Sequence, residues 1–353
     1  MKILIVGPSP TRSKGGMATV IEEIVNDEKL NKQYDIDVYE SYIDGNIFVR
    51  IFYSFFAFIK FCLTKKNYDL YHVHVASRGS TFRKGLYIDV IKKWKKKVIL
   101  HIHGAQYLSF FDSISVHKQK RVIEILKNAD LVIALSEYWK SAFEEKFNLT
   151  NCRVLENGID MTRLAPAIQD SRLHQEAFLA LGRIGQRKGT YDLIRAVEVA
   201  RKTVPNIKCY LAGDGDIDKV RNLIKSKHLE DNIQVVGWAN FEKKLELLKA
   251  VSTVVLPSYD EGLPMSILEG MACGKTIIST PVGAIPEVVT KENGILVPVG
   301  NVKALSEAMI RCCVDEAMMN NVSKENIEKI KNNYSMECMH KKLLAFYHDL
   351  EEA

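Results

Sequence analysis

Short apolar runs recur along the chain, and between them apolar positions fall three and four residues apart. The first pattern marks buried strands and the second amphipathic helices. Strand runs are expected at 2–6, 35–39, 70–75, 98–103 and 131–135, then again at 177–181, 208–212, 233–236, 253–256 and 276–279. Helical periodicity falls between them, for example over 190–201 and 264–273, and continues at 302–314 and 336–352. Strands alternating with helices imply parallel sheets covered on both faces. Two such series in 353 residues exceed what one core usually holds. The expected architecture is therefore α/β, with two Rossmann-like domains facing across a cleft. The boundaries read as 1–165 for the first domain and 166–335 for the second. The polar stretch 166–171 reads as a hinge, and 336–353 as a helix returning to the first domain.

Composition narrows the class. Hydrophobic content of 47% and charged content of 26% are those of a globular protein. Seven cysteines, odd in number and without a Cys-x-x-Cys pair, point to reduced thiols, not to a disulfide framework or zinc site. Met1-Lys2 runs directly into Ile3-Leu4-Ile5-Val6, too short for a signal-peptide core, so a cytoplasmic location is expected. The net charge of +6 is uneven: residues 1–165 hold 25 Lys/Arg against 18 Asp/Glu, and the remainder 24 against 25. A basic first half, with the run Lys92-Lys93-Trp94-Lys95-Lys96-Lys97, suggests an anionic partner such as membrane lipid or a lipid diphosphate. Nucleic acid is not among the expected partners. Segment 47–63 is rich in Phe but short for a span and carries Arg50 and Lys60. It reads first as a buried helix, and second as an interfacial one giving peripheral contact with the inner face of the membrane.

Ligands of doubly wound sheets bind beyond the carboxyl ends of strands, so the residues following each run matter most. After the first run comes a loop through Gly15-Gly16 into a helix, able to bring backbone N–H groups to an anion. The third and fourth runs carry His72, His74, His101 and His103 on alternate positions. No carboxylate or cysteine is spaced with them, so a metal is not expected. His103, beside Gly104 at the loop, is the best placed to hydrogen-bond or move a proton near neutral pH. In the second half, Leu181-Gly182-Arg183 and Lys188-Gly189 set two cations beside a glycine turn, suited to a diphosphate. Pro257 to Pro264 then leads a helix containing Glu269, and Glu261 and Glu269 are spaced to point in similar directions toward sugar hydroxyls. Gly270-Met271-Ala272-Cys273-Gly274-Lys275-Thr276 imitates a phosphate-binding P-loop, but its spacing is one short and it runs from helix to strand.

Gly182-Arg183…Lys188-Gly189, Ala212-Gly213-Asp214-Gly215 and Glu261-Gly262-Leu263-Pro264…Glu269 together resemble the retaining family 4 glycosyltransferases of the GT-B fold. Gly15-Gly16, His103-Gly104, Ser136-Glu137 and Asn157-Gly158-Ile159-Asp160 extend the resemblance over nearly the whole chain. The resemblance implies transfer of a hexose-type sugar, UDP-linked by family frequency, to a polysaccharide or lipid-linked glycan, without a metal or other cofactor. It assigns catalysis to His103, Glu261, Arg183 and Lys188. It assigns donor binding to Gly15, Gly16, Arg183, Lys188, Gly237, Glu261, Gly262, Leu263, Pro264 and Glu269. The acceptor is expected near Ser80, Arg83 and Lys84. Two other readings remain open from the residues: a nucleotide-sugar epimerase, and a scaffold that binds nucleotide or carbohydrate without turnover.

Overall fold

The computed structural model describes residues 1–13, 15–168 and 175–352. Two compact units form, Met1–Gly158 with Glu337–Ala353, and Ile159–Met336. The first unit holds β1 (Lys2–Pro8), β2 (Asp35–Tyr42), β3 (Leu70–Val75), β4 (Lys97–Ile102), β5 (Leu131–Ala134) and β6 (Cys152–Val154) in a parallel sheet of order β2-β1-β3-β4-β5-β6. The second holds β7 (Ala177–Leu181), β8 (Lys208–Ala212), β9 (Ile233–Gly237), β10 (Thr253–Leu256), β11 (Thr276–Ser279) and β12 (Gly294–Leu296) in the order β12-β11-β10-β7-β8-β9, again all parallel. Apolar runs become central strands because crossover helices cover both faces of a parallel sheet. All six residues of β3 are buried, its two histidines included. The ten expected strands are present, and two more, β6 and β12, edge the sheets. Three-residue edge strands carry too little pattern to announce themselves.

The strand order fixes where each unit can bind a ligand. It reverses between β1 and β3 in the first unit, and between β7 and β10 in the second. At such a point the crossovers depart to opposite faces and leave a crevice beyond the strand ends.

The division between units falls earlier than the expected 165/166. Ile159 pairs with Ser335, its N–H donates to Tyr334 O at 2.8 Å, and Met336 N–H returns to Ile159 O at 3.0 Å. Helix Met161–Leu164 therefore begins the second unit. Pro166 of the expected hinge sits in a short 3-10 turn, Ala165–Ala167, whereas 169–171 lie outside the described residues.

Helix Met336–Glu352 belongs to the first unit. It buries Met339, His340, Leu343, Phe346 and Tyr347, one stripe at three- and four-residue spacing. His340 Nδ1 meets Asp27 Oδ2 at 2.5 Å, Lys342 pairs with Glu156 at 2.6 Å, and Arg153 pairs with Asp349. Tyr347 OH bonds His72 Nδ1 at 2.9 Å deep in the core.

The Phe-rich segment overturns its first reading. It is a helix, Ile47–Thr64, but only Ala57 and Phe61 are fully buried. Phe61 anchors it, with ring centroids 4.7 Å from Tyr87, 5.4 Å from Tyr39 and 5.4 Å from Trp94. Tyr39 OH donates to Ala57 O at 2.5 Å. That single stripe satisfies the sheet beneath, and the opposite face has nothing left to cover it.

Tyr347→Phe removes one buried hydrogen bond and should cost about 1 kcal/mol. Tyr347→Ala also empties the space and should cost about 3–5 kcal/mol. Urea unfolding of both variants checks the ordering; equal losses would mean that the hydroxyl, not the ring, holds the helix.

Candidate active site

In the second unit the loops leaving β7 and β10 meet at the switch point. Arg187 Nη1 donates to Asp260 O at 2.8 Å, and Tyr259 N–H donates to Arg187 O at 2.8 Å. The approach is close enough to require glycine. Gly189 has φ of 70°, and a Cβ there would stand 1.9 Å from Pro257 O. The loop after β11 supports the second loop from behind: Gly283, at φ of 56°, leaves room for Glu261 O, which a Cβ would meet at 1.9 Å. Ala284 N–H donates to Gly262 O at 3.0 Å.

This stacking puts a carboxylate and an ammonium together. Glu261 is 4% exposed, and its Oε1 accepts from Lys188 Nζ at 2.5 Å and from Ser258 Oγ at 2.6 Å. Arg187 Nη1 stands 3.8 Å from the same oxygen. Gly262, Leu263 and Pro264 continue from Glu261 into helix Met265–Ala272, with Pro264 at its N-cap. Glu269 lies inside that helix, 8% exposed, and pairs with Lys244 from helix Phe241–Lys249. The two glutamates thus belong to two separate ion pairs. Gly237 ends β9 with φ of 81°, and its carbonyl accepts from Gly213 N–H at 2.7 Å.

The structure brings Lys188 and Glu261 together but leaves Arg183 outside. Arg183 is exposed on the loop after β7 and forms no ion pair among the described residues. Lys244, Ser258 and Arg187 were not singled out from the sequence. Lys244 stands on an amphipathic helix with no motif around it; Arg187 and Ser258 adjoin residues that were singled out. The P-loop imitation runs from helix Met265–Ala272 into β11 as read, and its Lys275 is buried at 1% exposure, which lowers its pKa.

In the first unit, Gly15 caps helix Gly16–Val25 with φ of 114° and open space where a Cβ would stand. The helix has no acidic residue in its first turn. Lys14 of this loop lies outside the described residues. Ser80 Oγ accepts from Ala76 N–H at 3.2 Å beyond β3. The expected acceptor surface at Arg83 and Lys84 needs correction. Both stand on helix Gly79–Lys93, but Lys84 lies on its inner face with Thr81, Ile88 and Ile91, 2% exposed. Its Nζ donates to Val6 O at 3.2 Å and to Ser41 Oγ, and burial pushes its pKa well below the usual lysine value. Arg83 turns over the Tyr42 ring at 5.0 Å, largely enclosed. Neither is a free surface cation.

The four histidines share one face of β3 and β4, where His74 is the register partner of His101. His72 Nε2 meets His101 Nδ1 at 3.2 Å, and His74 Nδ1 meets His103 Nε2 at 2.8 Å. Burial holds all four neutral, lowering His72 and His103 to about 3 and His74 and His101 well below the ordinary value. His103 therefore does not titrate near neutral pH, contrary to expectation. The outer Nε2 atoms of His74 and His101 are buried without a partner. Orphaned donors are rarer than orphaned acceptors, so the His74 proton belongs on Nδ1. His74 then donates to His103, leaving His103 with a proton on Nδ1. Ring nitrogens of His72, His74 and His101 lie within 4.8 Å of one another, the spacing of a three-imidazole metal site. Their hydrogen bonds to His103 and Tyr347 already engage ring nitrogens that a cation would need.

Comparison with known proteins places this fold. HepE from Anabaena, solved with UDP and glucose, superposes with a TM-score of 0.77 at 18% identity over 99% of this chain and 100% of that one. Sucrose-phosphate synthase from Thermosynechococcus elongatus gives 0.79 at 20% identity, covering 100% of this chain and 99% of that one. The fold is thus the two-domain α/β fold of GT-B glycosyltransferases. The model of Glycosyltransferase Family 4 matches residues 15–163 and that of Glycosyl transferases group 1 matches 163–329, so the chain belongs to the family 4 glycosyltransferases. Among relatives, the UDP-Gal:alpha-D-GlcNAc-diphosphoundecaprenol alpha-1,3-galactosyltransferase of Escherichia coli is 23% identical over 312 residues, 82% of this chain and 77% of that one.

The histidine cluster carries a pH signature. Unfolded imidazoles take up protons near 6.5, whereas the folded ones resist until about 3. Their contribution is full above pH 6.5 and is lost as pH falls from there toward 3. The urea midpoint should drop steadily between pH 6.5 and 4, and nitrogen-15 NMR should show Nδ1–H tautomers for His74 and His103. A midpoint flat from pH 7 to 5 would contradict neutral burial.

Proposed function

We propose that this glycosyltransferase moves a hexose-type sugar, with retention of anomeric configuration, from a nucleoside-diphosphate sugar to a polysaccharide or lipid-linked glycan. A UDP-sugar is the favoured donor. The observation that carries the reading is the Lys188–Glu261 pair at the β7/β10 switch point, a half-buried cation aimed by its partner. HepE was solved with UDP and glucose, and the E. coli relative bears the name of a UDP-galactose-dependent enzyme acting on a diphosphoundecaprenol-linked sugar. Both support a nucleotide-sugar donor and a glycan acceptor. A lipid-linked acceptor would set the reaction at the cytoplasmic face of a membrane.

In the proposed mechanism, the acceptor hydroxyl oxygen attacks the anomeric carbon from the face that the diphosphate leaves. The carbon–oxygen bond to the diphosphate breaks, and the departing phosphate oxygen takes the hydroxyl proton. Charge grows on the diphosphate, where Lys188 and the exposed Arg183 stabilise it. Preorganised cations are most effective where charge develops in the transition state. Glu261 and the Gly262-Leu263-Pro264 backbone meet the transferred sugar and phosphates, with Gly237 beside them and Glu269 on the ribose hydroxyls. The Gly15-Gly16 loop offers N–H groups to the diphosphate. His103, neutral and protonated on Nδ1, serves as a hydrogen-bond donor to the sugar and not as a base. No metal is required by these roles.

Lys188→Ala and Glu261→Ala should each lower turnover of UDP-sugar by about 100- to 1,000-fold while far-UV circular dichroism stays native. Wild-type rates in both would sink the assignment. UDP at a hundredfold excess over its Kd should stabilise the protein by about 2.7 kcal/mol, read as a rise in Tm. No shift with any nucleoside diphosphate would count against the donor site. Turnover of donor without acceptor into an isomer would indicate an epimerase; binding without turnover would indicate a scaffold.

A further inference from the structure

Helix Ile47–Thr64 presents to solvent Ile47, Phe48, Val49, Ile51, Phe52, Phe55, Phe56, Ile59 and Leu63. Phe48, Phe52, Phe56 and Leu63 are 69, 61, 63 and 79% exposed, although their neighbours on the inner stripe are sealed around Phe61. Scattered exposed apolar residues need no explanation, but a contiguous face of this size does. By length and composition the helix could cross a membrane. Crossing would tear Phe61 from Tyr39, Tyr71, Tyr87 and Trp94, and would break the Tyr39–Ala57 bond. The helix is held along the surface of its unit, the attitude of an interfacial helix.

Charge says what covers the face. Residues 45–68 contain Arg50, Lys60, Lys65 and Lys66 and no Asp or Glu. Trp94 stacks on Phe61 with planes 26° apart, which brings the flanking exposed Lys93 and Lys95 to the same end of the helix. The rest of the basic run is engaged by neighbouring groups of its own unit: Lys92 pairs with Asp130 at 2.9 Å, Lys96 with Asp69 at 3.5 Å, and Lys97 bonds Leu350 O. A second copy of this chain would bring like charges together around the apolar face. An anionic lipid surface answers both features, since the rings enter the acyl boundary while lysines reach the headgroups.

We propose that this face seats the protein on an anionic membrane leaflet, through the outer side of helix Ile47–Thr64 and the lysines at its C-terminal end. The contact needs neither donor nor acceptor, so it stands or falls apart from the glycosyl-transfer reading.

The test is sedimentation of the full chain with phosphatidylcholine vesicles, with or without phosphatidylglycerol. Binding should be roughly tenfold or more stronger with the anionic lipid. Phe52→Ser with Phe56→Ser should abolish sedimentation, and Lys66→Glu with Lys93→Glu, at exposed positions remote from the core, should weaken it at least tenfold. Both variants should keep the UDP-induced rise in Tm shown by the parent. Equal binding to both vesicles, or none to either, would overturn the proposal. So would a lipid-free dimer that the Phe52/Phe56 double variant dissociates while vesicle binding persists.

Discussion

Wherever strand order reverses in a parallel sheet, the two neighbouring crossovers leave for opposite faces, and the strand ends between them stay uncovered. In the second unit that reversal separates β7 from β10, and the site hangs on it. The loop from β7 carries Lys188 and the loop from β10 carries Glu261, so the two meet without any long-range design beyond sheet topology. Glycine at 189 and 283 then decides how closely the backbones approach. Taking two charges out of water costs several kcal/mol per ion unless geometry and further hydrogen bonds compensate. Ser258 and Arg187 supply that compensation at Glu261 Oε1. The arrangement suits an anionic ligand, because a diphosphate can take over a cation that the protein already holds in place, partly shielded from solvent.

The first unit uses the opposite electrostatic device. Around its β1/β3 reversal the buried polar groups are neutral imidazoles, and Lys84 forms no ion pair among the described residues. Lys84 is instead satisfied by a backbone carbonyl and a serine hydroxyl. Burial without an opposite charge favours the uncharged form, which is why these groups lose protons so readily. The consequence for His103 is chemical. A ring whose Nε2 is occupied by His74 has its tautomer set by a neighbour on the adjacent strand. Hydrogen-bonded rings of this kind orient one another much as outer partners orient a metal's histidines.

Much of this was legible in the sequence, for reasons that particular residues make clear. Strands such as β3 and β10 announced themselves because both faces are covered and nearly every position is apolar. The loop from Gly182 to Gly189 was legible because glycine and cation recur at positions a turn demands. Lys84 misled because charge is normally a surface signal; its place in the stripe of Thr81, Ile88 and Ile91 was a contrary cue that periodicity offered and charge outweighed. Lys244 left no trace, since its link to Glu269 joins two helices and exists only in three dimensions. The titration of His103 was misjudged because burial of a strand-end side chain depends on the neighbouring strand, here through His74 of β3.

The Phe-rich helix shows the same limit from the other side. An apolar stripe on both faces of a helix says that both will leave water, but not what will cover each. Fully burying a Phe, Leu or Ile side chain contributes about 1.5–3 kcal/mol, so nine such residues left outside forgo a stabilisation on the order of the whole free energy of a domain. Folding alone gives no reason to keep them. Phe61 and Ala57 hold the helix in place, and polar residues at Phe48, Phe52 or Phe56 would leave those anchors untouched. A face that the fold does not use, on a segment (45–68) that carries cations and no acid of its own, has its energetic justification outside the chain. The medium that rewards exposed rings and lysines together is an interface between hydrocarbon and anionic headgroups.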